Sequence, residues 1–290
     1  MPTPTKIQNC DETILDEPLR SAAAFTFKVE RLYAGMILLA PPDESGSGQE
    51  PSLGGSLVYA GELDAEGRPV VVAGNVAGAA SLAASADPAA QKEAIRDGIV
   101  DFVVTSLDEA LRILKNEIRK REAVAVCVAK APLLIEREMH ERGVQPDLLV
   151  CGLDEPELFA AFLEGRGKRF SPKVLDESQA RLTWTVAAGS VTQALSRLDA
   201  MVLEWLAQEN RPDVQATQRW LRLAPRYLGK LGRWGRTMTS EPDFARAIAD
   251  QIEDAVKSRK IAVPIRMNLC EAAGRSVFEA TPPGAPEKKN

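Results

Sequence analysis

From Leu57 onward, short apolar runs alternate with longer stretches whose apolar residues recur every three or four positions. Leu57-Val58-Tyr59-Ala60 reads as a strand, Arg68 to Ala77 as a helix, and Ser81-Leu82-Ala83-Ala84 as a second strand. Asp87-Pro88 supplies an N-cap followed by proline at the first helical position, and Gly98 supplies the stop. Val100 to Val104 is apolar and β-branched, as a short strand would be. Ser106-Leu107-Asp108-Glu109 has the form of a capping box, and Leu107, Ala110, Leu111, Leu114 and Ile118 keep helical spacing behind it. Ala123 to Val128 is a continuous apolar run, the pattern of a strand buried on both faces. A helix from Pro132 to Arg142, stopped by Gly143, leads to a strand at Leu148 to Cys151. Strands separated by helices of this length predict an α/β fold, a parallel sheet with helices on its faces. One alternative stays open: Leu57 to Ala73 also fits a β-hairpin turning at Ala65-Glu66-Gly67, because Val70-Val71-Val72 favours a strand.

The flanks read differently. Residues 1–20 form a lead-in, Phe25 to Leu39 suggests one or two strands, and Pro41 to Pro51 is a loop by composition. Glu164 to Arg169 reads as a linker. Beyond it the pattern is mainly helical, with helices at Val186 to Gln208, Gln215 to Arg233 (broken at Pro225) and Asp243 to Ser258, and a strand at Ile261 to Ile265. The expected organisation is therefore a lead-in with short strands (1–50), an α/β domain (51–165), a mainly helical region (170–275) and a disordered tail (276–290).

Composition narrows the function classes. The chain has 290 residues, room for one large or two modest domains, and a net charge of −5, which does not suit a protein that coats nucleic acid or an anionic membrane. Cys10, Cys127, Cys151 and Cys270 are widely spaced with no C-x-x-C pair, which argues against a zinc site and a disulfide framework. His140 is the only histidine, so imidazole metal sites and Ser-His-Asp triads are not expected. The acidic start is not a signal peptide, and Gly35 to Ala40 is too short to span a bilayer. A cytoplasmic protein with reduced thiols is expected.

The segment Ala77 to Pro88, then Asp97-Gly98-Ile99-Val100-Asp101 with Ser106 to Leu111, then Arg142-Gly143-Val144-Gln145-Pro146-Asp147 follow one another in the order and spacing of a known domain. Residues 57 to about 151 resemble the nucleotide-binding domain of urocanase (urocanate hydratase). The resemblance implies a Rossmann-like domain that holds NAD through a glycine-crowded loop after the first strand. Here that loop is Gly61-Glu62-Leu63-Asp64-Ala65-Glu66-Gly67, which keeps only the outer glycines and carries three carboxylates where a pyrophosphate needs bare amides. The candidate cofactor positions are Gly61, Gly67 and Ser85, the last standing where an acidic residue would hold ribose hydroxyls, together with Arg68, which could pair with phosphate although a surface arginine at a helix start explains it more simply. Ala129-Lys130 replaces the family's small turn, and Cys151 to Pro156 replaces its threonine- and serine-rich cofactor segment. Urocanase is nearly twice this length, and its substrate-binding core has no counterpart in residues 1–50 or 170–290.

Other groups carry weaker signals. Glu62, Asp64 and Glu66 could converge on a divalent cation, although a solvated turn explains them more simply. Gly74-Asn75-Val76-Ala77-Gly78 offers a second glycine pair, better explained by close helix packing. Cys127 and Cys151 fall near the ends of parallel strands and read as small apolar residues. Arg219, Arg222, Arg226, Lys230, Arg233 and Arg236 recur at helical steps between tryptophan and leucine positions, a candidate basic docking face or the solvated side of a core helix. The resulting expectation is a urocanase-like protein without the hydratase active site, a catalytic residue, a metal or NAD, which binds a protein or small ligand. Neither nucleic acid nor a membrane span is expected, and self-association stays open. The alternative is an NAD-binding hydro-lyase of that family.

Overall fold

The computed structural model describes residues 17–41, 50–150, 155–165, 167–173, 178–186, 191–209, 212–271 and 274–283. The chain divides into two compact units, one formed by Lys28–Lys173 with Arg226–Lys230, the other by the remainder.

The first unit is built on six parallel strands in the order β3-β4-β2-β1-β5-β6. They are β1 (Leu57–Glu62), β2 (Ala80–Ala84), β3 (Phe102–Val104), β4 (Val124–Val128), β5 (Leu148–Val150) and β6 (Lys168–Phe170). The helices between them are α2 (Gly67–Ala77), α3 (Pro88–Arg96), α4 (Leu107–Lys120), α5 (Pro132–Glu141) and α6 (Pro156–Glu164). Every residue of β2 and β4 is buried, which is why these strands read as unbroken apolar runs. Leu57, Tyr59, Leu82, Val126 and Val128 face Leu107, Leu114, Ile135, Met139 and Phe162 of the helices in one cluster. The alternate residues meet α2, where a Cβ on Gly74 would stand 2.6 Å from Ser81 Oγ and 3.8 Å from Val58 Cγ2. Close packing thus explains the Gly74 position. Two aspartates pin strand starts: Asp101 accepts from the Ala125 amide and Asp147 from the Leu57 amide, each at 2.8 Å.

The helix signals act locally as expected. Asp87 Oδ1 accepts from Ala89 N at 2.8 Å, and Gly98 and Gly143 take positive φ of 73° and 63°. Ser106 Oγ accepts from Glu109 N at 3.3 Å, while the Glu109 carboxylate accepts from Thr105 N at 3.0 Å, one residue before the amide a strict capping box would use. The hairpin alternative is not adopted: Gly67 to Ala77 is helical, and Val70, Val71, Val72 and Val76 are buried.

Two readings before residue 170 need correction. The stretch Phe25 to Leu39 is not strand but the end of α1 (Glu17–Ile37). Ala23, Phe27, Glu30, Tyr33 and Met36 are buried at steps of three and four, with Thr26, Val29 and Leu32 beside them on the same face, and that helical period outweighs the β-branched and aromatic content. The expected linker at 164–169 contains β6, paired in parallel with β5 at the sheet edge. Residues 1–16, most of the 41–51 loop, Cys151–Asp154 and the tail from 284 lie outside the described residues.

The second unit carries the expected long helices α7 (Val191–Leu206), α8 (Pro212–Leu228, which ends in the first unit) and α9 (Pro242–Lys257). Helix α8 continues through Pro225 and passes into a 3-10 turn at Gly229–Arg233. With these helices stands an unforeseen antiparallel sheet, β10-β9-β7-β8, made from Ala180–Val186 (β7), Arg236–Ser240 (β8), Ile265–Glu271 (β9) and Gly274–Ala280 (β10). Thus β10 occupies part of the expected disordered tail. Trp220 Nε1 donates to Thr237 O at 2.8 Å, and Trp234 Nε1 donates to Thr26 Oγ1 at 3.0 Å. Arg236 forms a bidentate pair with Asp199, at 2.9 Å from Nε to Oδ1 and 2.8 Å from Nη2 to Oδ2. Burial raises the Asp199 carboxyl above its ordinary value against the pull of that guanidinium. Cys270 is disulfide-bonded, which departs from the expectation of reduced thiols.

Gly61 and Gly67 flank the acidic loop and are glycines for different reasons. Gly61 has φ 73° with open space around its missing Cβ, whereas a Cβ on Gly67 would lie 1.8 Å from Glu62 O. Gly61→Ala is expected to cost about 1–2 kcal/mol for its left-handed backbone. Gly67→Ala is expected to cost more, roughly 3 kcal/mol, because backbone must move. Urea unfolding checks the order; equal costs, or a cheaper Gly67→Ala, would contradict the packing described.

Candidate functional site

After β1 the chain builds β2, β3 and β4 on one side, then returns to place β5 and β6 on the other. The strand order therefore reverses between β1 and β5, and an α/β sheet holds ligands in the crevice outside the carboxyl ends at such a point. A cavity of about 590 Å³ lies there. Its walls come from the end of β1 (Tyr59 to Glu62), the loop and start of α2 (Asp64, Glu66, Gly67, Val70), α5 (Pro132, Glu136), Val150 of β5, Pro172, and Lys28 and Leu32 of α1.

The loop after β1 is knit to the start of α2. Asp64 Oδ1 accepts from Glu66 N at 2.8 Å and from Gly67 N at 2.9 Å. These belong to the set of amides that a helix start leaves unsatisfied, and in a dinucleotide site they face phosphate. Gly67 lets the main chain close tightly, but what approaches is the chain's own backbone: its missing Cβ faces Glu62 O and Ala60 O. The loop is tied from outside as well. Lys28 Nζ donates to Ala65 O at 3.1 Å and forms an ion pair with Glu66. Among the described residues, no group of three or more histidine, cysteine or acidic side chains is arranged to hold a metal ion.

Arg68 points to α3, with Nη1 2.8 Å from Glu93 and Nη2 3.0 Å from Asp97. Ser85 stands fully buried just beyond β2, its hydroxyl accepting from Asp87 N at 3.3 Å and its carbonyl accepting from Gln91 Nε2 at 2.8 Å. The structure thus brings Gly61 and Gly67 to the crevice and engages Arg68 and Ser85 in the α2–α3 region. Cys127 on β4 is fully buried. Burial, with the Glu62 charge adding to it, pushes the thiol up to about 11, so it remains protonated at neutral pH. Cys151 lies outside the described residues. His140 is exposed on α5 and meets the Phe162 ring edge-on at 6.3 Å.

Three wall residues escaped the sequence reading. Tyr59 is 1% exposed, and its hydroxyl donates to Glu136 Oε1 at 2.9 Å, with Glu136 2% exposed on α5. A tyrosine inside an apolar strand needs a partner for its hydroxyl, which was the one available signal. Lys28 lay in a stretch read as strand, so nothing tied it to the loop. The basic positions divide by exposure: Arg222, Arg226, Lys230 and Arg233 are exposed, Arg219 is half-buried, and Arg236 is held by Asp199. Arg226 lies 5.3 Å from the Tyr227 ring centre. Among the described residues no helix is long and apolar enough to cross a membrane.

Residues 50–151 match the family model of the urocanase Rossmann-like domain. Among curated proteins, the chain is similar to an S-methyl thiourocanate hydratase of Variovorax sp. (strain JCM 16519 / RA8), 27% identical over 105 residues. That alignment covers 36% of this chain and 19% of the relative, so the shared part is one domain of a much longer protein. The match spans β1 to β5 and most of the crevice wall, while Lys28, Leu32 and Pro172 lie outside it. Residues 50–151 of this chain form a urocanase-like Rossmann domain.

Proposed function

We propose that this protein keeps the fold and ligand crevice of the urocanase domain, has given up NAD and the hydratase reaction, and acts by binding a small ligand or partner. One observation carries the reading: the Asp64 carboxylate holds the Glu66 and Gly67 amides that a pyrophosphate would require. A dinucleotide entering against β1 would have to displace Asp64 and then sit beside Glu62 and Glu66, with like charges adjoining its phosphates. Each displaced charged hydrogen bond is worth about 1.5–3 kcal/mol, comparable to what the phosphate would gain there. Lys28 does not offset this, because Glu66 already pairs with it. Glu136 and Tyr59 bond to one another at the crevice wall, an arrangement suited to orienting a ligand.

The purified full chain, denatured and examined by absorbance and mass spectrometry, is expected to release no nucleotide, and titration calorimetry with NAD is expected to give no saturable heat. Co-purified NAD would reverse the reading and favour the alternative, an NAD-dependent hydro-lyase related to the Variovorax hydratase. A second expectation concerns Cys127. Its thiol is expected to resist iodoacetamide in the folded protein near neutral pH and to react on unfolding. Because its folded value is raised, the stability its proton contributes is fully present below its ordinary value near 9.0 and is lost as pH rises towards about 11. Rapid alkylation in the native state, followed by peptide mapping, would show instead an accessible thiolate.

A further inference from the structure

The crevice has carboxylates from β1, the loop after it and α5, and one cation, on its walls, and most of these groups already have partners. Asp64 is held by two amides, Glu66 by Lys28, and Glu136 by the Tyr59 hydroxyl. Glu62 differs: it is half-buried at the end of β1, on the cavity wall, and its carboxylate has no hydrogen bond or ion pair among the described residues. Its charge nonetheless acts inward, since it helps to hold the buried Cys127 thiol protonated. The remaining walls offer hydrocarbon from Leu32, Val70, Pro132 and Val150. The loop also already receives an ammonium on an alkyl stem: Lys28 Nζ reaches Ala65 O at 3.1 Å and pairs with Glu66. A half-buried carboxylate without a counter-charge favours a cation over an anion or a neutral molecule, and the surrounding hydrocarbon favours an organic one.

We infer that this crevice takes a small organic cation, an ammonium on an apolar body, with Glu62 as its charge partner and Leu32, Val70 and Val150 against its hydrocarbon. The inference rests on the reading that no dinucleotide occupies the site. It assigns Glu62 a binding role and leaves Lys28 as the rim group that keeps Glu66 from competing.

Titration calorimetry on the full chain with hexylammonium, hexanol and hexanoate separates charge from shape, since the three share one chain length. Hexylammonium is expected to bind saturably, at least about tenfold more tightly than hexanol, with no heat from hexanoate. Glu62→Gln is expected to remove that preference while Glu62→Asp retains part of it. Hexylammonium failing to bind, hexanol or hexanoate binding as well as the amine, or Glu62→Gln leaving the affinity unchanged would each overturn the inference. The three wild-type titrations decide the matter even if Glu62→Gln does not fold. NAD in the same cell distinguishes the two readings: NAD uptake defeats the proposed function, whereas no uptake of NAD or of hexylammonium defeats only this inference.

Discussion

On the proposed function, two amide groups at the start of α2, those of Glu66 and Gly67, govern what the crevice can hold, and both donate to Asp64. The N-terminus of a helix carries a partial positive charge and unsatisfied donors, and some anion answers it. In a dinucleotide fold the anion is the ligand's phosphate; here it is a side chain three residues before Gly67. The substitution is local in sequence and changes the site as a whole. On the proposed function, an open phosphate cradle is replaced by a closed acidic turn, which Lys28 ties down.

That turn depends on the sheet beneath it. The main chain leaves β1 at Gly61 with positive φ and a shift in its register with β2, then doubles back so that Gly67 lies against Glu62 O. Leu63, 1% exposed, anchors the middle of the loop, and its amide donates to Ala84 O at 3.0 Å. The β1 and β4 strands start on aspartates, Asp147 and Asp101, that fix amides at 2.8 Å. The crevice is thus a consequence of parallel strand order, and its chemistry is set by the few side chains that reach its rim. A fold that binds a nucleotide in one protein can host a different ligand once those side chains change.

Much of the parallel domain could be read from its residues because local signals and burial agree there. Asp87-Pro88, Ser106 and Gly143 mark helix ends by mechanisms that need no tertiary contact, and β2 and β4 are apolar throughout because both faces are covered. The reading failed where tertiary packing decided. Helix α1 carries Phe25, Phe27, Val29 and Tyr33, residues that favour strands, and only their burial shows the helical period. Strand β8, Arg-Thr-Met-Thr-Ser, has little apolar content, and its neighbour β7 buries Arg181 and Thr183 alongside Leu182 and Trp184, which erases the alternation. At the site, the acidic loop was visible and its significance could be argued from charge. That Asp64 would cap the helix, that Lys28 would reach the loop from 37 residues away and that Tyr59 would meet Glu136 depend on three-dimensional closure.

The most direct measurement is the amide spectrum of isotope-labelled protein as NAD is added, followed at the Glu66 and Gly67 resonances. On this account both stay in place at every NAD concentration, because Asp64 remains their acceptor. Saturable movement of those two resonances, with NAD bound against the start of α2, would contradict it.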